Sequence, residues 1–183
     1  MLEEVERVDV AVYAAISRTD TPALDRAMRR LSRAADYSKL SLAAAAGLAL
    51  DGGERGRRGA ANGLAALAVT ATIANGLKPF GRRKRPDRVL NTVPSARQVP
   101  MPGTSSFPSG HSASAFAFAT GVGEVLPAVG ASLRALATAV AYSRVHTGVH
   151  YPADVVAGAI LGSTLAQAST RALRSRIRSA PGR

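Results

Sequence analysis

The chain has 183 residues, with 24 lysines and arginines against 12 acidic residues, and it contains no cysteine or tryptophan. Its length predicts a single domain with its own core. The absence of cysteine excludes disulfides and thiolate metal sites. The formal net charge of +12 predicts anionic partners, which include lipid headgroups, phosphorylated substrates and nucleic acid.

The N-terminal region, residues 1–36, predicts amphipathic helices. Apolar side chains recur at helical spacing over residues 2–17, at Leu2, Val5, Val8, Val12 and Ile16. Thr21-Pro22 predicts an N-cap with proline at the first position of a second helix. The acidic first residues lack the apolar core of a signal peptide, so we expect no cleavable one.

The second helix carries a basic face opposite its apolar one. The basic residues are Arg26, Arg29, Arg30 and Arg33. A basic amphipathic helix of this kind fits an anionic membrane surface. It fits the solvated face of a soluble bundle equally well, and this helix alone does not separate the two interpretations.

The central region, residues 37–170, predicts an all-α fold, because its apolar runs are rich in alanine and lack β-branched alternation. The predicted helical segments are 40–50, 59–77, 112–126, 128–143 and 153–170. Residues 59–77 carry no charge and nearly match the ~20 residues that cross a bilayer. Residues 155–170 are also uncharged, and basic clusters flank both runs.

We therefore predict one membrane domain over residues 1–183, a helical bundle of about five apolar helices preceded by one or two amphipathic ones. Residues 171–183 form a basic tail with five arginines. A mean hydropathy of only +0.05 leaves a soluble helical bundle as the alternative. The small-xxx-small pair Gly158 and Gly162 predicts close helix packing inside the bundle, ahead of a dimer contact.

Three short motifs fall in order along the central region. They are Lys78 followed after six residues by Arg85-Pro86; Pro108-Ser109-Gly110-His111; and Ser143-Arg144 followed after five residues by His150 and after three more by Asp154. All three histidines of the chain, His111, His146 and His150, lie within these motifs. If the five helical segments each cross the membrane once, all three motifs emerge on the same side.

Together the motifs resemble the signature of the type 2 phosphatidic acid phosphatase superfamily, which also includes vanadium haloperoxidases and some bacterial acid phosphatases. The resemblance covers residues 78–154, and no fixed position of the signature is missing. It implies a phosphatase that forms a phosphohistidine and needs neither a metal ion nor another cofactor.

The same residue types suit phosphoester hydrolysis on chemical grounds. Neutral His150 is the expected nucleophile, and Asp154 holds the ring nitrogen that does not attack phosphorus. His111 is the expected general acid toward the leaving oxygen and then the base toward water. The expected phosphate-binding residues are Lys78, Arg85, Ser109, Gly110 and Arg144. These cations take the role that Mg²⁺ has elsewhere.

Other charged residues near the motifs are predicted to have simpler roles. Arg82, Arg83, Lys84 and Arg88 are expected to be headgroup-binding or topology-determining charges of a basic loop. Asp87 is expected to pair with a neighbouring arginine. Whether His146 contacts substrate stays open, because it occupies a variable position of the third motif.

The preferred function is that of a multi-pass cell-membrane phosphatase acting on a lipid phosphomonoester or diphosphate. The composition, rich in alanine, glycine and arginine, resembles that of proteins from high-GC bacteria, and the short chain resembles actinobacterial polyprenyl-phosphate or phosphoribose-lipid phosphatases. A polyprenyl-linked phosphate is therefore the preferred substrate, ahead of phosphatidic acid or phosphatidylglycerol phosphate. Which membrane face carries the site and whether the chain forms homo-oligomers stay open.

Three alternatives remain at this stage. The first is a soluble acid phosphatase and the second a vanadate-dependent peroxidase, each with the same site residues. The third is a non-catalytic basic protein of the membrane surface. Nucleic acid is not an expected partner, because few aromatic residues are available to stack on bases.

Overall fold

The computed structural model describes residues 2–81 and 83–179, and within them it contains seven α-helices and no strand. The helices are α1 Leu2–Arg18, α2 Pro22–Ala34, α3 Lys39–Asp51, α4 Gly53–Leu77, α5 Gly110–Gly123, α6 Pro127–His146 and α7 Pro152–Ser179. Short 3-10 turns lie at Asp36–Ser38, Lys78–Phe80 and Ser95–Arg97. The predicted all-α class is confirmed, with two N-terminal helices ahead of five further ones.

Helix α5 lies at the centre of the bundle and packs against α4, α6 and α7. Its buried side chains are mostly small, so the neighbouring backbones approach closely. A Cβ atom added to Gly162 of α7 would lie 2.1 Å from the backbone oxygen of Ala113, and one added to Gly158 would lie 2.4 Å from that of Ser109. The small-xxx-small pair therefore packs inside the bundle, as predicted.

Prolines set the starts of three helices, α2 at Pro22 as predicted, and α6 and α7 one residue before their predicted starts. Helices α6 and α7 begin at Pro127 and Pro152, because proline needs no backbone donor partner in the first turn. Thr21 occupies the N-cap position of α2, but its hydroxyl donates to the Asp25 carboxylate instead of accepting from the backbone.

Two predicted boundaries need correction. The helix predicted over 59–77 starts earlier, at Gly53, so the basic residues Arg55, Arg57 and Arg58 lie in its first turns. Helix α7 runs to Ser179 and so takes in much of the predicted basic tail, because no glycine or proline interrupts residues 171–179. Residues 180–183 lie outside the described part of the chain.

One helix of the described chain, with the turn that follows it, is long and apolar enough to cross a membrane, over Gly53–Phe80. Helices α3 and α5 have only 13 and 14 residues, short of the roughly 20 that span a hydrocarbon core. Length and composition by themselves therefore identify fewer crossing helices than the five predicted.

The apolar stripe predicted for α1 does not face the bundle. Val8 and Val12 are 59% and 42% exposed, and Ile16 is partly buried. The side chains of Leu2 and Val5 lie outside the described part of the chain. The predicted helix is therefore present, but of the described members of its apolar stripe only Ile16 packs against the bundle.

The inward face of α1 consists of Asp9, Tyr13 and Ser17. Asp9 forms an ion pair with Arg83 of the loop after α4. Tyr13 packs edge-on against Tyr151, with ring centroids 5.4 Å apart. The orientation of α1 is therefore set by this ion pair and this ring contact, and not by burial of its apolar side chains.

Candidate active site

The segment between α4 and α5 is held against the bundle by two guanidinium groups, that of buried Arg97 and that of half-buried Arg88. Arg97 donates to the backbone oxygens of Ile16 and Thr19 at 3.0 and 2.8 Å, and it pairs with Asp25 at 2.9 Å. Arg88 donates to the backbone oxygen of Gly148 at 3.1 Å. Arg97 thus docks this segment against α1 and α2, whereas Arg88 docks it against the loop that carries the third motif.

All three motifs meet at one end of the bundle. The backbone N–H of Ser109 donates to the backbone oxygen of Asp154 at 2.9 Å, which joins the second motif to the third. Arg85 Nη1 lies 3.3 Å from His150 Nε2, which joins the first to the third. A Cβ on Gly110 would lie 3.7 Å from Lys78 Cε, which joins the first to the second.

His150 is buried in the loop between α6 and α7, with different surroundings at its two ring nitrogens. Nδ1 lies 3.5 Å from Asp154 Oδ2 and 3.4 Å from the Ser106 hydroxyl, whereas Nε2 faces Arg85. Burial, reinforced by the nearby positive charge of Arg85, lowers the pKa of His150 to about 4. The imidazole is therefore neutral at pH 7 and has a lone pair for attack.

Asp154 lies in the first turn of α7, and its carboxylate is fully buried among hydrogen-bond donors. Oδ1 accepts from Arg83 Nη1 at 2.8 Å, and Oδ2 accepts from the Tyr151 backbone N–H at 2.8 Å and from the Ser106 hydroxyl. These donors satisfy the charge and leave the carboxylate few orientations.

Arg83 requires a correction, because it was expected to be an ordinary charge of the basic loop. One arm of its guanidinium binds Asp154 and the other binds Asp9, whose second oxygen accepts from the Ala153 backbone N–H at 2.7 Å. Neither Asp9 nor Ser106 was identified from sequence. Both lie outside the motifs, and only the docking of α1 and the loop brings them to Asp154.

The predicted phosphate-binding cations of the first motif are held by Thr104, just before the second motif, and Arg85 also by the loop of the third. Arg85 donates to the backbone oxygens of Thr104 and Val149 at 2.9 and 2.7 Å. Lys78 Nζ donates to the Thr104 hydroxyl at 3.1 Å. Backbone and hydroxyl oxygens carry no net charge, so both cations keep their positive field for an incoming anion.

The second motif forms the first turn of α5. The helix begins at Gly110, slightly before the predicted start near Ser112. Buried Ser109 caps it through a hydrogen bond from the Ser112 N–H at 3.4 Å. Helix N-termini attract anions, and Lys78 lies beside this one.

The remaining motif residues, His111 and Arg144, share a carboxylate that sequence reasoning missed. His111 Nε2 lies 3.0 Å from Asp36 Oδ1, and Arg144 Nη1 lies 3.4 Å from the same oxygen. Arg144 is buried and also donates to the Ser32 hydroxyl at 2.6 Å. Asp36 lies in a turn outside every motif, so its sequence position carried no signal.

Two openings adjoin the motif residues. A cavity of about 240 Å³ borders His111, Lys78 and Gly110, and its other walls come from α4, α5 and the turn at Tyr37 and Ser38. An apolar groove of about 600 Å³ lies between α4 and α7. Its lining residues are Leu77, Phe80, Gly81, Phe107, Pro108, Ala157, Ile160, Leu161 and Thr164.

His146 lies apart from the other motif residues, in a buried cluster. Its Nε2 is 2.8 Å from Asp25 Oδ1, its Nδ1 is 3.4 Å from the Tyr142 hydroxyl, and Arg97 binds the same Asp25 oxygen. The structure thus assigns His146 to the contact between α2 and α6 and not to the motif site.

The other charged residues of the basic loop differ in how well they match their predicted roles. Asp87 was expected to pair with an arginine, but its carboxylate accepts from the backbone N–H groups of Val89 and Leu90 at 2.8 and 3.1 Å. Arg88 was expected to be a loop charge, but it anchors the third-motif loop. Lys84 is exposed, as a loop charge should be, and Arg82 lies outside the described residues.

Comparisons with known proteins agree with the motif geometry. The sequence profile of the PAP2 superfamily matches residues 59–178. The chain is 35% identical over 173 residues to decaprenylphosphoryl-5-phosphoribose phosphatase of Mycobacterium tuberculosis, covering 90% of each chain. It is 36% identical over 100 residues to lipid A 1-phosphatase of Rhizobium johnstonii, covering 53% of this chain and 41% of that protein.

Solved structures share the fold. A transmembrane PAP2-type phosphatidylglycerolphosphate phosphatase from Bacillus subtilis superimposes with a TM-score of 0.70 at 23% identity, covering 97% of this chain and 90% of that one. Aquifex aeolicus LpxE superimposes with a TM-score of 0.70 at 26% identity, covering 88% of this chain and 94% of that one.

Proposed function

Because the chain belongs to the PAP2 superfamily, we propose that it is a lipid phosphate phosphatase whose preferred substrate is a phosphomonoester on a polyprenyl-linked lipid. The observation that carries this proposal is the convergence of His150, Asp154, Arg85 and His111 at one end of the bundle, beside an apolar groove. The relatives matched in sequence are named for phosphorylated lipids, and the relative matched over 90% of both chains is named for a decaprenyl-linked one.

The reaction begins with attack by the neutral imidazole. The Nε2 lone pair of His150 forms a bond to phosphorus while the ester P–O bond breaks, and His111 donates a proton to the departing oxygen. Asp154 stabilises the positive charge that develops on the His150 ring. The product of this step is a phosphohistidine and a free alcohol.

The second step returns the enzyme to its starting state. His111, now neutral, accepts a proton from the water that attacks the phosphohistidine, and inorganic phosphate leaves as the P–N bond breaks. In both steps Arg85, Lys78, Arg144 and the start of α5 supply donors to the phosphoryl oxygens, because charge develops there in the transition state.

The chain is a membrane protein, and we propose that α3 to α7 form a multi-pass bundle in the cell membrane. Exposed apolar side chains on the outer faces of α4 and α7 support this topology, among them Val69, Ile73, Val156 and Ile160. Burial of α5 by its neighbours suits a helix that contacts protein instead of lipid. The apolar groove between α4 and α7 is where we place part of the lipid tail.

Phosphate release by the purified protein in detergent tests this function. We expect the highest kcat/KM for a polyprenyl-linked sugar phosphate, above phosphatidic acid and phosphatidylglycerol phosphate, and unchanged rates with EDTA present. His150→Ala is the control and should release no phosphate. Faster hydrolysis of phosphatidic acid would contradict the substrate preference, and activity lost with EDTA but restored by Mg²⁺ would contradict the mechanism.

A further inference from the structure

The expected general acid His111 has a carboxylate partner outside the three motifs. Asp36 lies 75 positions earlier in the chain, in the turn between α2 and α3, and its Oδ1 atom is 3.0 Å from His111 Nε2. The site therefore contains two histidine–carboxylate pairs, His150 with Asp154 and His111 with Asp36.

The contact determines which nitrogen of His111 can reach a substrate. Nε2 is occupied by Asp36, and Nδ1 has no hydrogen bond to any residue in the described part of the chain. A ring that keeps Nε2–H on a carboxylate presents Nδ1 for proton transfer. The cavity of about 240 Å³ that borders His111 provides space for the alcohol portion of a substrate.

Asp36 is well placed to hold this ring in one orientation. The same carboxylate oxygen lies 3.4 Å from Arg144, whose guanidinium is buried and tied to Ser32. The two residues after Asp36, Tyr37 and Ser38, both have a φ of 57°, a left-handed conformation that is uncommon outside glycine. This tight turn points the chain from α2 into α3 and sets the carboxylate against both groups.

We propose that Asp36 is a positioning residue that holds Nε2–H of His111, so that Nδ1 transfers the proton to the leaving oxygen. The inference rests on the proposed phosphatase function. As the ester P–O bond breaks, the proton moves from Nδ1 to the leaving oxygen, and the imidazolium becomes neutral imidazole. In the hydrolysis step, Nδ1 accepts a proton from the attacking water. Asp36 stabilises the His111 imidazolium both before it donates its proton in the first step and after it accepts one in the second.

The leaving group of the substrate provides the test. An alkoxide needs a proton as it departs, whereas p-nitrophenolate needs little help, so loss of a well-held acid should affect alkyl esters selectively. The measurement is kcat/KM of the purified full chain for decyl phosphate and for p-nitrophenyl phosphate. For each ester, kcat/KM reports the steps up to formation of the phosphohistidine and does not depend on the later hydrolysis of that intermediate.

We expect Asp36→Asn to lower kcat/KM for decyl phosphate by roughly 10-fold or more, since general acid catalysis contributes about 10²- to 10⁴-fold. The loss on p-nitrophenyl phosphate should stay within about 3-fold. Asp51→Asn, at the exposed end of α3, is the matched control and should match the unsubstituted protein on both esters. Asp36→Glu keeps a carboxylate, so it should recover part of the alkyl-ester rate.

Each contrary result has a distinct meaning. Equal losses on both esters would show that Asp36 supports the fold or phosphate binding, and would overturn the inference. Unchanged rates, or a gain on both esters, would overturn it as well. If Asp36→Asn does not fold, Asp36→Glu must show the selective alkyl-ester loss by itself, and failure to do so would overturn the inference. An unsubstituted protein that releases no phosphate from esters or lipids would instead overturn the proposed function.

Discussion

At the residue scale, Arg83 is the link between the buried carboxylate of Asp154 and α1. It binds Asp154 with one arm and Asp9 with the other, and its guanidinium lies 4.5 Å from the centre of the Tyr151 ring. A carboxylate held by several donors keeps a single orientation, and that orientation sets the ring of His150. We therefore propose that Arg83 is a positioning residue that acts on the reaction through Asp154.

We predict that Arg83→Gln lowers kcat by roughly 10- to 100-fold, because a small misplacement of a catalytic group has effects of that order. Lys84→Gln is the matched control, since Lys84 is exposed in the same basic loop. Phosphate release from one lipid substrate at saturating concentration measures both variants. Equal rates for the two variants would contradict the role given to Arg83.

The titration of His150 predicts a pH dependence of stability. Its pKa in the folded protein is about 4, against an ordinary value of 6.5, because burial disfavours the charged ring. Between these values the unfolded chain binds the proton and the folded one does not, so stability falls as pH falls from 6.5 toward 4.

Replacing His150 with Gln should remove that contribution. We expect Tm to fall less between pH 7 and pH 5 in His150→Gln than in the unsubstituted protein. Thermal unfolding in one detergent at both pH values measures the difference. A steeper fall in the variant would show that His150 is protonated in the folded protein.

At the scale of elements, contact between α5 and α7 depends on the absence of side chains on α7. A Cβ atom on Gly162 would lie 2.1 Å from the Ala113 backbone oxygen, so the helices must separate to admit a methyl group. A Cβ atom on Gly47 of α3, also a helix interior glycine, would meet no atom within 4 Å. The two glycines thus differ in packing while sharing the same backbone propensity.

We predict that Gly162→Ala lowers stability by roughly 1–3 kcal/mol through overpacking. Gly47→Ala should be neutral or stabilise by up to about 1 kcal/mol, because alanine favours a helix interior. Denaturant unfolding of both variants in one detergent checks the opposite signs. A stabilising Gly162→Ala would contradict the close approach of the two helices.

At the scale of the whole molecule, the basic face of α2 lies at the same end as the motif site. Ser32 of α2 accepts from Arg144, and Arg26, Arg30 and Arg33 are exposed. Arg29 differs, because its guanidinium donates to the Ala96 backbone oxygen at 3.4 Å. An exposed basic surface attracts anionic lipid with about 1 kcal/mol per cation, and this attraction weakens with salt.

We predict that replacing Arg26, Arg30 and Arg33 with Gln raises KM for lipid substrates in anionic vesicles and leaves kcat unchanged. Arg57→Gln is the control, because Arg57 is exposed at the start of α4, far from the site. Kinetics in anionic and neutral vesicles at two salt concentrations measure the effect. A loss of similar size on a soluble phosphoester would show that these arginines support the fold instead.

The sequence by itself determined the family and the helical class. The three motifs resemble the signature of a phosphatase superfamily, and alanine-rich apolar runs favour helices. Local rules also determined the starts of α6 and α7, because proline at Pro127 and Pro152 acts on its own backbone. These features depend on residues near one another in the chain, so they could be predicted.

Only the tertiary structure decided which charges support the motif residues. Asp9 and Arg83 are 74 positions apart, Asp36 and His111 are 75 apart, and His146 lies 121 positions from Asp25. Each pair forms because a loop or N-terminal helix docks on the bundle, and no local periodicity encodes that docking. For the same reason α1 turns its polar face inward, since a buried ion pair and a tyrosine contact outweigh the apolar stripe that its sequence displays.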